Sequence, residues 1–230
     1  MSRDLYSSLS GAVGAWKSIE LVANNLANVN TTGFKASRVP FELDGPDPHP
    51  LGQVYAKARE PSRDARDGAP IADGVPTHFA LQGPGYFVVR SGAETVLTRD
   101  GRFGVSPDRQ LIDATGGVVQ GQGGPIEIPE GETITVQSDG KVIGSVSGEL
   151  DQLSIVDAEV TALGSNRFRA TGPVAQVAAS VIQGALEGSN VDPLGAMVEL
   201  VQASRYFEMF QKAMTASDEL DARLNQIGGR

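Results

Sequence analysis

Apolar residues recur at alternating spacings of four and three at both ends of this chain, and that repeat constrains the fold more than any other feature. The N-terminal series is Leu5, Leu9, Ala12, Trp16, Ile19, Ala23 and Leu26. The C-terminal series is Ala196, Leu200, Ala203, Phe207, Phe210, Met214, Ser217, Asp221 and Leu224, apolar at all but Ser217 and Asp221. A seven-residue repeat of this kind marks a helix that packs lengthwise on a partner helix. Two long helices therefore bracket the rest of the chain, reaching roughly 40 and 50 Å at 1.5 Å per residue. Asn190 or Asp192 can cap the second, with Pro193 at its first position. Glu208 and Lys212 stand one turn apart on its outer side in the favourable order. Gly11 and Gly14 weaken the first helix by roughly 1 kcal/mol each, so its stability must come from packing.

The end of the first helix carries an unusual run of amides, Asn24, Asn25, Asn28 and Asn30. Each gives up as much as roughly 0.7 kcal/mol of helix propensity relative to Ala. Projected at about 100° per residue, Asn24, Asn25 and Asn28 gather on the face away from the seam, near Lys17 and Leu21. Between Leu5 and Val29 only Lys17 and Glu20 are charged, too few for a helix with one side in water. The spacing predicts a helix enclosed by protein on most sides, its amides pairing across contacts without a buried charge to neutralise. Asn30 and Gly33, both tolerant of left-handed backbone, are expected to end it.

The middle of the chain has a different texture. Residues 44–76 are rich in Pro, Gly and charge and read as an extended linker, with one strand near Gln53 to Ala58. From Thr77 to Leu186, short β-branched and aromatic runs alternate with turn signals. Asp139-Gly140 marks the tip of a hairpin in "TITVQSDGKVIGSV", and Asp100-Gly101 marks a second turn in "TRDGRF". Strands without intervening helices favour a small, mostly antiparallel sheet or barrel. The expected fold class is α+β: residues 1–43 and 187–230 form a helical domain, 44–76 a linker and 77–186 a β domain.

Several function classes lose support. A net charge of -9 opposes nucleic acid or an anionic membrane as partner. With no cysteine, thiolate metal sites and cysteine nucleophiles are excluded. The two histidines, His49 and His78, are separated by the linker and match no metal or triad spacing; His49 reads as a loop residue and His78 as sheet-edge packing. Asp100, Asp108, Asp113 and Asp139 mostly coincide with turn signals. "QGQGGP" is not followed by the helix a phosphate loop requires, so it reads as a β-turn. No apolar run approaches the roughly 18 residues of a membrane span, and the N-terminal stretch lacks the unbroken apolar region of a secretory signal. No catalytic residue, cofactor or metal ligand is expected.

"ANNLANVNTTGFK" resembles the N-terminal signature of bacterial flagellar rod and hook proteins. "LQGPGYFVV" is similar to that family's L-x-G-x-G-F-F-x-V, with Tyr86 for the first Phe, and "LTRDGRFGV" to its Y-T-R-x-G-x-F, with Leu97 for Tyr. "EGSNVDPLGAMVELVQASRYFEMFQKAM" is similar to the family's closing helix, and "RDLYSSLSGA" looks more like the proximal-rod type than the distal-rod type. The resemblance implies a structural subunit of the flagellar drive shaft in the periplasm, transmitting torque and exported unprocessed through the flagellar type III apparatus. It implies an inner tube of terminal helices, the C-terminal one nearer an axial channel, with the β domain outside. Its partners would be copies of itself, the proximal rod below and the distal rod above; nucleic acid is not among them and the chain does not span a membrane. The candidate assembly residues are Leu5, Leu9, Trp16, Ile19, Asn24, Asn25, Leu26, Asn28, Asn30, Gly33 and Phe34, with Leu200, Phe207, Phe210, Met214 and Leu224. Alternatives are a distal-rod subunit, a secreted β-domain binding module with a helical dimerisation stalk, and a hydrolase built on paired aspartates.

Overall fold

A computed structural model of the protein describes residues 3–38, 41–44, 55–58 and 62–228, with the side chains of 3–7, 41–44, 55–58, 218, 221 and 223–228 outside that description. Two compact units emerge, each assembled from segments far apart in sequence. One contains residues 1–29, 36–64 and 191–230, the other 30–35 and 65–190. In chain order one helix precedes and one follows a mostly antiparallel β region, and the two helices pack together, an α+β fold.

The first unit is built on helix α1, Arg3–Ala27, and helix α2, Pro193–Gly228. They run antiparallel, since Gly11 lies under Phe210 while the later Trp16 meets the earlier Phe207. Two short ribbons belong to the same unit, Ser37–Arg38 with Ser62–Arg63 and Phe41–Asp44 with Tyr55–Ala58. Asp192, not Asn190, caps α2: its carboxylate accepts the Leu194 amide at 3.1 Å and its carbonyl the Ala196 amide at 2.9 Å. Asn190 is drawn away by the Arg66 carbonyl, to which its side chain donates at 2.8 Å. On α2 the seam faces as the repeat predicts, with Ala196 and Ala203 buried and Leu200, Phe207, Phe210, Met214 and Ser217 half-buried.

On α1 the buried face differs from the predicted seam. Ala12, Ala15, Val22 and Asn25 are buried, while Leu9 and Trp16 are 49% and 56% exposed. The contact face is rotated by roughly 80° toward the small residues, at 100° per residue. Close approach explains the shift: a Cβ on Gly11 would run into the Phe210 ring, so α2 can seat its aromatic residues only where α1 offers Gly11, Ala12, Ala15 and Ser18. The helix also ends sooner than expected. Asn28 N–H is shared between the Asn24 and Asn25 carbonyls at 3.2 and 3.1 Å, and Val29 N–H reaches Leu26 at 3.3 Å, a tightened last turn. Gly33 takes left-handed backbone, φ 65°, but Asn30 does not.

The second unit is β throughout. Its largest sheet orders the strands 160–164, 167–170, 94–98, 86–91, 118–119, 111–112 and 104–105, with 155–157 pairing both 86–91 and 175–176. Every pairing is antiparallel. Strands 134–136, 141–144 and 148–152 form a meander, and 79–82 pairs with 180–183 and 70–72 with 185–187. Alternation along Tyr86–Ser91 sends Phe87 and Val89 into a core with Phe79, Phe103, Leu111 and Val119, and sends Tyr86 and Val88 toward Leu97, Val156 and Phe168. Phe87 and Phe103 meet edge to face with centroids 5.1 Å apart.

The hairpin at Asp139-Gly140 forms, with Gly140 at φ 84° and Gln137 N–H donating to Lys141 O at 2.9 Å. At Asp100-Gly101 the chain bends without closing a hairpin: the Asp100 carboxylate accepts the Arg102 amide at 3.2 Å, Gly101 O accepts the Phe103 amide at 3.0 Å and the Phe79 amide at 3.1 Å, and His78 bridges Arg102. A glycine is required there because a Cβ would collide with the Phe79 carbonyl. Asp113 serves a turn, accepting from the Thr115 and Gly117 amides at 2.9 and 2.7 Å. In the Gly-rich loop Gly121 N–H closes a turn on Gly124 O at 2.6 Å, and the Gly123 amide faces the Asp151 carboxylate of the same chain at 3.1 Å. His78 packs half-buried, its Nδ1 2.5 Å from the Asp73 carboxylate. His49 lies outside the described residues.

Candidate assembly surface

The helix pair buries one stripe of each helix and leaves a second apolar stripe uncovered. On α2 the exposed stripe is Leu194, Met197, Val198 and Val201, at 74%, 50%, 56% and 52% exposure. These positions recur at i, i+3, i+4 and i+7, one helical face, and it lies opposite the seam that meets α1. On α1 the exposed apolar residues are Leu9, Val13 and Trp16. Trp16 leans one side of its indole on Phe207, centroids 5.7 Å apart, and leaves the other to solvent. Scattered single apolar residues are ordinary on a surface, but a continuous stripe rimmed by polar groups marks a contact face.

The asparagines divide by environment. Asn25, expected on the outer face, is buried instead, because the contact face of α1 is rotated. Its Nδ2 donates to Ser37 O at 2.8 Å and its Oδ1 accepts from Ser37 N at 2.9 Å, a two-bond clamp between α1 and the first strand. Asn28 is half-buried and donates to the Asn24 carbonyl at 2.9 Å. Asn24 and Asn30 are exposed, and the Asn24 side chain finds no hydrogen-bond partner among the described residues. Of the other candidate residues, Ile19, Leu26 and Phe34 are half-buried and Gly33 is buried. Leu5 and Leu224 lie in the helices at positions whose side chains are outside the described residues.

Sequence reasoning missed a buried, multiply bonded carboxylate, which lies in the β unit. Glu187, 1% exposed, binds Lys35 Nζ at 2.6 Å through one carboxylate oxygen and Arg99 at 3.0 Å through the other. Lys35 also reaches Asp67 at 3.1 Å and the Arg66 carbonyl at 2.8 Å. Burial alone would raise the Asp67 carboxyl, but the Gly83 amide, the Lys35 hydrogen bond and the charges of Lys35 and Arg99 outweigh it and hold it below its ordinary value. The Arg99 guanidinium donates to Gly83 O at 2.6 Å and sits 5.7 Å from the Tyr86 ring centroid. One signal was available: Glu187 alternates with Ala185 on a strand whose other inward residues are apolar, an improbable place for a lone carboxylate.

Among the described residues no group of three or more His, Cys, Asp or Glu could hold a metal ion, and no helix is long and apolar enough to cross a membrane.

Comparison with known proteins agrees in three places along the chain. Residues 5–35 match the family described as flagella basal body rod protein, 80–144 the D1 domain of flagellar hook protein FlgE/F/G, and 182–227 the C-terminal region of flagellar basal body rod FlgEFG proteins. The chain is 32% identical over 249 residues to flagellar basal-body rod protein FlgF of Salmonella typhimurium, covering 99% of this chain and 98% of that one. It is 30% identical to FlgF of Rhizobium meliloti, covering 100% and 99%, and 30% identical to flagellar basal-body rod protein FlgG of Bacillus subtilis, covering 96% and 97%.

Proposed function

We propose, from the premise that this chain belongs to the flagellar basal-body rod protein family, that it serves in the proximal segment of the rod and has no catalytic step. As a structural subunit of the basal body it assembles with other rod components. The observation that carries the proximal-rod reading is the uncovered apolar stripe on two paired helices in a chain that aligns with FlgF proteins over nearly its full length. Copies of the chain and neighbouring rod proteins cover that stripe, with each fully buried Leu, Val or Met contributing roughly 1.5 to 3 kcal/mol. The exposed amide of Asn24 completes its hydrogen bonds on a neighbour.

Dense helix packing of this kind is stiff, and stiffness is what torque transmission along a periplasmic shaft requires. The helices surround the axial channel through which later subunits pass, and the chain itself travels by the flagellar type III route. Leu9 and Trp16 offer their exposed sides to neighbours, while Ile19, Leu26, Leu200, Phe207, Phe210 and Met214 act in assembly by shaping the helix pair that neighbours grip.

A deletion strain tests this reading. Loss of the gene should halt basal bodies before the distal rod and abolish swimming, with the intact gene restoring both. Complete rods and normal swimming in the deletion strain would refute it.

A further inference from the structure

The charge group joins four stretches that are remote in sequence, and its composition is balanced: Lys35 and Arg99 against Asp67 and Glu187. Two of those stretches lie where the chain passes between the units: residues 30–35, an isolated segment of the β unit, and Glu187, close to the last crossing after residue 190. They are bound to one another directly. Gly33 N–H donates to the Glu187 carbonyl at 2.7 Å, and Asn190 N–H donates to the Phe34 carbonyl at 3.2 Å. The β unit anchors both: Asn166 donates to Thr32 O at 2.6 Å, the Gly68 amide to the Glu187 carboxylate at 3.1 Å, and Gly188 N–H to Ala69 O at 2.9 Å. Gly33 fits because its φ of 65° and the Arg99 carbonyl beside it leave no room for a side chain.

We propose that Glu187 is a positioning residue for rod assembly, the centre of a clasp that holds two of the chain's crossing segments, 30–35 and 187–190, in the β unit and couples each to the other. The coupling follows from charge. If residues 30–35 withdraw, Lys35 leaves and the remaining three groups carry one uncompensated negative charge. If residues 187–190 withdraw, Glu187 leaves and the remainder carries one uncompensated positive charge. Either state strands a buried charge, which is far costlier than losing a solvated pair. Each crossing is therefore most stable when the other is in place, and by linkage the effect is equal in both directions. The hydrophobic core of Phe79, Phe87, Phe103, Leu111 and Val119 includes none of these four residues, so it can stay folded when the clasp opens. The consequence for assembly rests on the rod-subunit reading, whereas the clasp does not: the chain runs from these segments into α1 and α2, and a subunit in which they open independently leaves the segments leading into its helices loose.

Amide hydrogen exchange on the full chain tests the reciprocal coupling. Glu187→Gln should speed exchange at Gly33 by at least about tenfold, and Lys35→Met should do the same at Gly188, with Val89 and Val119 unchanged within about twofold. Lys35→Arg keeps the charge and should retain wild-type protection at Gly188. The proposal is overturned if either variant loosens only its own crossing, if the core amides speed up equally, or if Lys35→Arg loosens Gly188 as much as Lys35→Met. Should Glu187→Gln not yield folded protein, the Lys35 pair decides alone. In cells, Glu187→Gln should reduce swimming in a strain that the intact gene restores. Failure of the intact gene to restore swimming would count against the rod-subunit reading, and normal swimming with Glu187→Gln against the clasp's role in assembly.

Discussion

Val201→Asp separates a contact residue from a residue that merely holds the subunit together. Val201 is 52% exposed on α2, with Met197 and Val198 beside it on the same face. In a lone subunit a carboxylate there stays in water. Its cost is the difference in helix propensity and a little lost packing, within about 0.5 kcal/mol. In an assembled rod the same position loses the burial of the remaining half of a Val side chain, about 1 kcal/mol. The carboxylate must also leave water without a partner, and a stranded buried charge brings the total to roughly 3 to 5 kcal/mol per contact. At 1.4 kcal/mol per decade, association weakens by about a hundred-fold to a few thousand-fold. The assay is a pair of measurements: thermal melting of the purified chain, and rod yield with swimming speed in a strain carrying the variant. The melt should stay near wild type while rod yield falls, and Val201→Ile should leave both unchanged. A variant that swims normally, or one whose melting drops in step with its assembly, would refute the reasoning.

Asn24→Asp should likewise leave the melt unchanged and impair rod formation, since it places a charge where an exposed amide meets a neighbour; normal rods would contradict it. Asn25→Ala should act on the lone chain instead, removing both hydrogen bonds to Ser37 and destabilising the helical unit by about 1 to 3 kcal/mol, read by denaturant titration. Gly11→Ala gains about 1 kcal/mol of helix propensity yet meets the Phe210 ring, so it should loosen the helix pair alone and stabilise it in combination with Phe210→Leu, a sign change that a double-mutant cycle detects. The Asp73 carboxyl is held below its ordinary value of 3.8 by the hydrogen bond from His78 and then the Val75 amide. That contribution is complete above 3.8 and is lost as pH falls through the lowered folded value, so Asp73→Asn should flatten the acid limb of a melting-versus-pH curve.

The repeat at the C-terminal end was legible from Ala196 to Ser217, where every seam position is buried or half-buried. The same rule misplaced the seam of α1, and the reason is size. A periodicity count weighs Leu9 and Trp16 as the best core candidates, but two helices that must seat Phe207 and Phe210 between them need Gly11, Ala12 and Ala15 at the contact, and steric fit outranks hydrophobicity there. The bulky residues then turn outward, with Leu9 49% and Trp16 56% exposed. Rotation of the helix also carried Asn25 from the expected outer face to Ser37. The clasp was out of reach for another reason: Lys35, Asp67, Arg99 and Glu187 are separated by at least thirty residues from one another, and their pairing depends on how the β strands close. Local pattern could flag Glu187 as misplaced on an inward-facing position but could not name its partners.

Trp16 is the one tryptophan in the chain, and it lies on the surface that assembly is proposed to cover. Its fluorescence in the dilute chain and in the assembled rod therefore tests the central claim directly. The account predicts red-shifted, acrylamide-quenchable emission from the dilute chain, where the indole is 56% exposed, and a blue shift with loss of quenching on assembly. Emission and quenching that stay the same in both states would mean that no neighbour covers this face.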